Sequence, residues 1–490
     1  MVALNASTLS QVTSVATPGY DRSALTPGIV HIGVGGFHRA HQAMYLDRLM
    51  EQGQAQDWAI RGLGVLPADR RMAEVLRAQD GLYTLVLKHA DGRREARVIG
   101  SIVDYVLAPD DPDAAVEAMA DPTIRIVSLT VTEGGYNIHH VTGEFDLTAR
   151  LVAADLADGA VPATTFGLVT EALRRRRDRG VPPFTVMSCD NVQGNGHVAR
   201  RAFVTFATAK DPELGRWIDA EVHFPNSMVD RITPVTTDAD RAEVAEQFGI
   251  EDGWPVVCEP FTQWVLEDDF NLGRPRYEDA DVQVVDDVEP YELMKLRLLN
   301  AGHQAIGYFG YLAGHRFAHE AASDPVIGGF ALAYMEREGT PTLPPVPGID
   351  LDHYRHELIE RFSNPEIRDT LARLCQDSSD RIPKFVLPVI RHQLADGGEC
   401  FRAIAIVASW ARYAEGTDEQ GQPIEVVDQL ADRLVAAARR QRQDPTAFIS
   451  DRTIFGELPD DSRFVDEFTA TLASLYERGA RATLEQLAKR

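Results

Sequence analysis

The chain has 490 residues, of which 74 are acidic and 49 basic, and its formal net charge is −25. This length exceeds that of one ordinary hydrophobic core and predicts two or three domains. The excess of negative charge disfavours nucleic acids and anionic membranes as partners and favours a neutral small molecule.

Short apolar segments alternate with segments of helical periodicity along the first half of the chain. Strands are predicted at residues 28–32, 58–65, 98–106, 124–131 and 184–188. Helical patterns lie between them, up to about residue 50, at 72–77 and at 113–119. This alternation predicts an α/β fold whose mostly parallel sheet carries helices on both faces.

After residue 285 the pattern changes to helical periodicity, and strand signals nearly vanish. Helices are predicted at 291–310, 330–338, 352–362, 367–375, 399–414, 426–441 and 462–476. The proline-rich segment 340–348 is interpreted as a loop inside this helical part. We therefore predict a domain of residues 1–285 and a second, mainly helical domain of residues 286–490.

A glycine-rich turn follows the first predicted strand. Gly33, Gly35, Gly36 and Phe37 stand between that strand and a helix. Glycine lets the backbone approach a pyrophosphate closely, and the helix N-terminus supplies unpaired N–H donors, so the turn is typical of dinucleotide binding. His38 occupies the position of the third glycine in the usual motif, so a purely structural turn stays an alternative.

An acidic residue, Asp69, follows the second predicted strand. A carboxylate there can accept hydrogen bonds from ribose hydroxyls and would repel a 2′-phosphate, which favours NAD. Arg70 and Arg71 come directly after it and could accommodate that phosphate, so binding by Arg70 and the use of NADP stay open.

The segment 295–303 combines an amine, an amide and an imidazole. On an α-helix Asn300 and His303 would lie about 140° and about 80° around from Lys295, on one broad face. A buried, neutral lysine can take the proton of a hydroxyl group, and Asn300 with a second asparagine can hold the oxygen. Gly302 is disfavoured in a helix, so we interpret it as room for a substrate or nicotinamide. An ordinary amphipathic helix is the alternative.

The histidines and cysteines form no metal-binding pattern. Two histidine pairs at helical spacing, His315/His319 and His353/His356, lack an obvious third ligand. The four cysteines are scattered, which argues against a disulfide framework and favours a reducing compartment. Residues 1–20 contain no basic stretch followed by an apolar run, so we expect a cytoplasmic protein. The arrangement of the histidines and cysteines predicts that it binds no metal.

The chain resembles the polyol-specific long-chain dehydrogenase/reductase family over nearly its whole length. The matching motifs are the glycine turn at 33–41, the lysine–asparagine–histidine pattern at 295–303, and the segments 128–136, 187–191, 228–234 and 257–261. The resemblance implies a Rossmann-type N-terminal domain that binds the dinucleotide and a mainly α-helical C-terminal domain for substrate binding and catalysis. It also implies an active site in the cleft between them.

The same resemblance implies roles for individual residues. Lys295 is expected to be the general base, Asn191 and Asn300 to bind the reacting oxygen, and His303 to orient the substrate. Glu133 is expected close to Lys295, where it would help to pass the proton to solvent.

Further hydroxyl groups of the substrate would bind to Asp230 and Arg373, and Arg381 and Lys384 are additional candidates. Asp69 keeps its role at the ribose. We expect Arg381 to stand where relatives carry a lysine, which leaves the distal specificity open.

The implied reaction is the NAD-dependent oxidation of a polyol to a ketose, D-mannitol to D-fructose and the reverse, with D-arabinitol or D-sorbitol as further substrates. A reductase of the same family that acts on the hexuronates fructuronate or tagaturonate is an alternative, because three cations could bind a carboxylate. A non-catalytic NAD-binding sensor is an alternative from another class. A monomer or weak oligomer is expected.

Overall fold

The computed structural model describes residues 1–138 and 144–490. The chain divides into two compact units, Met1–Val288 and Glu289–Arg490. The first unit contains the β-sheets together with helices, and the second is built mainly from helices.

The central sheet of the first unit has five parallel strands, numbered here in chain order: β1 Pro27–Ile32, β2 Ala59–Gly64, β3 Ile102–Leu107, β4 Ile126–Leu129 and β5 Thr185–Ser188. Their spatial order is β3-β2-β1-β4-β5. This is the order of a Rossmann fold, and it reverses between β1 and β4. Ligands of such sheets bind at the carboxyl ends of the strands near this reversal.

Helices cover both faces of this sheet. The neighbouring residues Ile29 and Val30 of β1 belong to two different hydrophobic clusters. They do so because successive side chains of a strand point to opposite faces of the sheet. The helices of the unit are Gly36–Ala40, Gln42–Glu51, Arg70–Ala78, Pro112–Ala120, Arg150–Leu156, Thr165–Asp178, Asn195–Lys210, Pro212–Glu221 and Asp238–Phe248. The predicted α/β class is confirmed.

Smaller sheets complete the first unit. They consist of Tyr83–Lys88 with Arg94–Ile99 and Val256–Cys258, of Gln263–Glu267 with Ser227–Asp230 and Gln283–Val285, and of Val2–Ala3 with Ile250–Glu251. The single strand predicted at 98–106 is therefore wrong, because Arg94–Ile99 and β3 belong to different sheets. Gly100 lies between them, where a Cβ would come within 2.7 Å of Pro18 Cγ.

The second unit packs its helices around two buried ones. All residues of Phe401–Tyr413 are buried, as are nearly all of Ala301–Leu312, which is typical of helices in the centre of a core. The other α-helices are Glu289–Met294, Ala318–Ser323, Pro325–Tyr334, Leu351–Phe362, Leu371–Leu374, Ser378–Phe385, Leu387–Asp396, Ala431–Arg440, Arg452–Phe455 and Ser462–Leu487. The helix predicted at 367–375 is shorter than expected.

Two segments of the second unit are π-helical, Lys295–Asn300 and Met335–Gly339. A π-helix is rare and occurs often at functional sites. Across the described ranges, none of the helices has the length and apolar character needed to cross a membrane.

Candidate active site

The glycine turn begins directly after β1. Gly33 has a φ of +93°, and a Cβ on it would lie 2.2 Å from the carbonyl oxygen of Thr130, so only glycine fits there. At Gly35 and Gly36 the nearest atoms to a Cβ would be 3.8 and 3.6 Å away. Gly33 is therefore required by the fold, whereas the backbone at Gly35 and Gly36 leaves room for a ligand.

A buried histidine lies beneath this turn. The Nδ1 atom of His31 is 2.7 Å from Ser128 Oγ, and its Nε2 atom is 2.9 Å from Thr130 Oγ1. The Thr130 hydroxyl also donates to the Gly33 carbonyl at 2.7 Å. Burial lowers the pKa of His31 to about 3, so its ring is neutral at neutral pH. This network ties the glycine turn of β1 to the end of β4.

The residue in place of the third glycine packs on that histidine. The rings of His38 and His31 are stacked with 3.4 Å between their centroids. His38 is buried, and burial lowers its pKa well below the ordinary value, so the two rings stack without repulsion between charges. The departure from the usual glycine motif thus has a packing reason.

Asp69 lies at the carboxyl end of β2. Its Oδ2 atom accepts hydrogen bonds from the backbone N–H groups of Val65 and Leu66, at 2.9 and 2.8 Å. The carboxylate therefore stabilises the turn that follows β2. The same turn holds it at the edge of the sheet where a Rossmann fold binds the ribose.

The two arginines after Asp69 both have partners. Arg70 forms an ion pair with Asp110, with 3.1 Å between Nη1 and Oδ2. The guanidinium group of Arg71 lies 5.0 Å from the ring centroid of Trp254. A 2′-phosphate would have to compete with these contacts.

Asn191 and Glu133 follow neighbouring strands, and Asp190 connects their segments. The carboxylate of Asp190 accepts hydrogen bonds from the N–H groups of Val131 at 3.1 Å and Thr132 at 2.7 Å. Glu133 begins the short 3₁₀-helix Glu133–Tyr136. Its side chain lies outside the described part of the structure.

Asp230 is the last residue of the strand Ser227–Asp230 and is buried. The beginning of this strand is tied to β5, because the side-chain amide of Asn195 donates to the carbonyl groups of both Asp190 and Ser227. The next residue, Arg231, donates to the carbonyl of Ala40 at 2.6 Å, at the end of the helix that follows the glycine turn. The segments that carry the glycine turn, Asn191 and Asp230 are thus connected in the first unit.

In the second unit, Lys295 and Asn300 are the first and last residues of a π-helix. A π-helix forms i→i+5 hydrogen bonds, so residues five apart lie about one turn apart on the same side. The angle of about 140° expected for an α-helix is therefore wrong. Lys295 is 8% exposed. The Oδ1 atom of Asn300 is buried and has no hydrogen-bond partner among the residues that the structure describes.

His303 lies one turn further, in the helix Ala301–Leu312. Its ring packs against Phe362 with 4.1 Å between the centroids. A Cβ on Gly302 would lie 3.3 Å from Phe362 Cε2 and 3.5 Å from Met335 Sδ. Gly302 therefore makes room for these two side chains, and its interpretation as space for a substrate is wrong.

The second π-helix packs against the first. The hydroxyl of Tyr334 donates to the carbonyl of Arg297 at 3.2 Å, in the middle of the first π-helix. A Cβ on Gly339 would lie 2.9 Å from Leu298 Cδ2 and 3.2 Å from the carbonyl oxygen of Arg297. Sequence reasoning missed these residues, because nothing in their local pattern points to residues 295–300.

A buried carboxylate anchors the second π-helix. Glu338 accepts hydrogen bonds from the backbone N–H groups of Arg402 at 2.9 Å and Ala403 at 2.7 Å. These are unpaired donors at the start of the helix Phe401–Tyr413. The side chain of Arg402 adds an ion pair at 3.2 Å. The π-helix that begins at Lys295 thus packs against a second π-helix, which is in turn bound to the buried helix Phe401–Tyr413.

The three distal cations are engaged within the second unit. Arg373 pairs with Asp369, with 2.6 Å between Nε and Oδ1, and Lys384 pairs with Asp380 at 2.7 Å. Arg381 donates to the carbonyl groups of Arg373 and of the following residue, at 3.2 and 3.1 Å. A carboxylate substrate would have to compete with aspartates at two of these cations.

No group of three histidine, cysteine, aspartate or glutamate side chains that could hold a metal ion occurs within residues 1–138 and 144–490. His315 lies 3.6 Å from Asp324, and His356 is bonded to the carbonyl of Asp352 at 2.9 Å. The histidine pairs considered from the sequence therefore have other contacts.

Comparisons with known proteins agree along the whole chain. Residues 27–279 match the mannitol dehydrogenase Rossmann domain and residues 287–476 the mannitol dehydrogenase C-terminal domain. A mannitol 2-dehydrogenase of Phaeosphaeria nodorum is 47% identical over 99% of this chain and 85% of its own length. The structure of Pseudomonas fluorescens mannitol 2-dehydrogenase in ternary complex with NAD and D-mannitol has a TM-score of 0.91 and 46% identity and covers both chains completely. A substrate-free D-sorbitol dehydrogenase also has a TM-score of 0.91, at 39% identity over 99% of this chain and all of that one.

Proposed function

Because the chain belongs to the mannitol dehydrogenase family, we propose that it oxidises D-mannitol to D-fructose with NAD and catalyses the reverse reduction. The observation that carries this proposal is the π-helix Lys295–Asn300, which sets the buried residue Lys295 and the side-chain amide of Asn300 about one turn apart. A relative 46% identical over its whole length was solved with NAD and D-mannitol. D-sorbitol and D-arabinitol are proposed as further substrates.

The oxidation removes a hydride from carbon and a proton from the hydroxyl oxygen. The amine of Lys295, in its deprotonated form, takes the hydroxyl proton. The side-chain amides of Asn191 and Asn300 donate hydrogen bonds to the oxygen as negative charge develops on it. His303, held by Phe362, orients the substrate, and Glu133 passes the proton from Lys295 to solvent. Asp230 and Arg373 bind further hydroxyl groups, with Arg381 and Lys384 as additional candidates.

The residues of the first unit fit a bound dinucleotide, which supplies the hydride acceptor. Gly33 makes the tight turn, the open backbone at Gly35 and Gly36 lets a pyrophosphate come close, and Phe37 continues into the helix. Asp69 uses Oδ2 for its own turn, and its other oxygen is proposed to accept from the ribose hydroxyls. We assign residues 1–285 to dinucleotide binding and 286–490 to substrate binding and catalysis.

The hexuronate alternative is less well supported, because Arg373 and Lys384 are paired with aspartates. The test is a comparison of kcat/KM for the NADH-dependent reduction of D-fructose, D-fructuronate and D-tagaturonate. We expect D-fructose to be preferred. A strong preference for a uronate would overturn the choice of substrate, and no turnover across a panel of polyols and ketoses would favour a non-catalytic NAD sensor.

We further propose that the protein is a monomer or weak oligomer in the cytoplasm. Its four cysteines are all free and buried, as expected in a reducing compartment. Light scattering of the purified protein over a range of concentrations tests the oligomeric state, and a stable assembly at all concentrations would contradict it.

A further inference from the structure

Asp190 has a role that sequence reasoning did not assign to it. It is 6% exposed and stands immediately before Asn191, at the end of β5. Among other contacts, its carboxylate accepts hydrogen bonds from the N–H of Thr132 at 2.7 Å, the N–H of Val131 at 3.1 Å and the hydroxyl of Tyr136 at 2.8 Å. All three donors belong to the segment 131–136, which contains Glu133.

The backbone that these bonds hold is strained. Thr132 has a φ of 67° and a ψ of 165°, a region that is almost restricted to glycine. Such a conformation persists only where its surroundings impose it. The bond from the Thr132 N–H to Asp190 is the direct restraint, and Glu133 follows at once. Asp190 therefore fixes the point from which Glu133 extends.

The main chain of Asp190 is fixed as well. Its carbonyl accepts a hydrogen bond from the side-chain amide of Asn195 at 3.0 Å, and its N–H donates to Ser188 Oγ at 3.3 Å. Asn195 also donates to the carbonyl of Ser227 at 2.7 Å. The position from which Asn191 extends is thus held by a network independent of the carboxylate.

We propose that Asp190 is a positioning residue of the reaction, which fixes Asn191 and the Glu133 segment relative to one another. Its carboxylate restrains the segment that contains Glu133, and its main chain leads directly into Asn191. A single buried residue therefore sets the spacing between the oxygen-binding amide of Asn191 and the proton-transfer group of Glu133. This inference rests on the proposed function, because it takes the roles of Asn191 and Glu133 from it.

The test is the variant Asp190→Asn, which has nearly the same volume but cannot accept from all three donors. We expect kcat for D-mannitol oxidation to fall about 10²-fold, because the segment that carries the proton-transfer group Glu133 is no longer held in place. We expect the Kd for NADH to stay unchanged, because the three donors held by this carboxylate belong to residues 131–136 and not to the glycine turn or Asp69. Tyr136→Phe removes one of the three bonds and lowers kcat about 2–10-fold.

Asp155→Asn is the matched control. Asp155 is also buried, at 3% exposed, and accepts from the N–H groups of Ala163 at 3.0 Å and Thr164 at 2.8 Å and from the Thr164 hydroxyl at 2.6 Å. It belongs to no part of the proposed site. Its variant loses thermal stability to a similar degree but keeps the kcat of the wild type at temperatures below unfolding.

The double variant Asp190→Asn/Thr132→Gly tests whether the lost kcat can be restored. Glycine adopts the conformation of residue 132 without strain, so the double variant recovers part of the lost kcat. The proposal is overturned if Asp190→Asn retains wild-type kcat or loses no more than Asp155→Asn. If Asp190→Asn does not fold, Tyr136→Phe with unchanged kcat overturns it. A wild type without polyol turnover would refute the proposed function itself, which separates the two failures.

Discussion

Lys295 and Asn300 are the two ends of one π-helix, so that the proposed base and an oxygen-binding amide lie about one turn apart. An α-helix would set them about 140° apart, because five residues exceed its turn. The second π-helix, Met335–Gly339, packs against the middle of the first through Tyr334 and Gly339. We therefore expect the spacing of Lys295 and Asn300 to depend on the contact between the two π-helices.

Gly339→Ala tests this dependence. Its Cβ would lie 2.9 Å from the buried side chain of Leu298 and 3.2 Å from the Arg297 carbonyl, so one of the π-helices must shift. We expect overpacking to lower the free energy of unfolding by about 1–3 kcal/mol. We also expect kcat to fall, as measured by NADH formation from D-mannitol.

Gly329→Ala is the control for that variant. Gly329 lies inside the helix Pro325–Tyr334, and apart from its chain neighbours and the backbone of its own helix no atom of the described residues lies within 4 Å of the position its Cβ would take. Alanine there should stabilise the protein by about 0.5–1 kcal/mol and leave kcat unchanged. Equal effects of the two substitutions would contradict a specific role of the π-helix contact.

Asp69→Ala should narrow the preference for NAD over NADP, because it removes the charge that repels a 2′-phosphate. It should also lower the free energy of unfolding by about 0.5–2 kcal/mol, since the N–H groups of Val65 and Leu66 lose their acceptor. The measurement is kcat/KM with each cofactor, together with a thermal melt.

The corresponding control is Arg70→Ala, which should leave the cofactor ratio nearly unchanged because Arg70 is paired with Asp110. A wild type that uses NADP as well as NAD would show instead that Arg70 and Arg71 determine the cofactor.

Removal of metal ions should have no effect. Prolonged dialysis against a chelator is expected to leave D-mannitol oxidation intact, because the proposed proton acceptor is an amine and the oxygen is held by amides. Metal analysis of the purified protein completes the test, and stoichiometric zinc that is needed for turnover would contradict the mechanism.

Much of the fold could be predicted from the sequence. Strands of the central sheet that are buried on both faces appear as mainly apolar segments, such as 28–32 and 184–188. The prediction of one strand at 98–106 was wrong, because two strands of different sheets follow one another there. Gly100, at the break between them, lies against Pro18, a contact that local periodicity does not reveal.

The site could be predicted only in part. The residue types of the segment 295–303 indicate alcohol chemistry. Its π-helical conformation could not be predicted, because the contacts it makes with Tyr334 and Gly339 are distant in sequence. Gly302 was misinterpreted because its partners, Phe362 and Met335, are equally distant. The role proposed for Asp190 depends on hydrogen bonds from Val131, Thr132 and Tyr136, which lie more than fifty residues away in sequence.

The two asparagines should contribute separately to the reaction. Asn191→Ala and Asn300→Ala are each expected to lower kcat about 10²–10³-fold, because each removes one hydrogen-bond donor to the developing negative charge. Binding of NADH, measured by fluorescence titration, should be unaffected by Asn300→Ala. A loss confined to KM would contradict binding of the reacting oxygen by these amides.

The most direct test of the account is the turnover of Lys295→Ala with D-mannitol and NAD. In the wild type, oxidation should rise with pH until Lys295 is deprotonated. The variant should lose several orders of magnitude in kcat, because the base and a group that holds the oxygen are both removed. NADH binding should barely change, and added primary amines should restore part of the activity. Near-normal turnover of Lys295→Ala would contradict the account and make His303 the next candidate for the base.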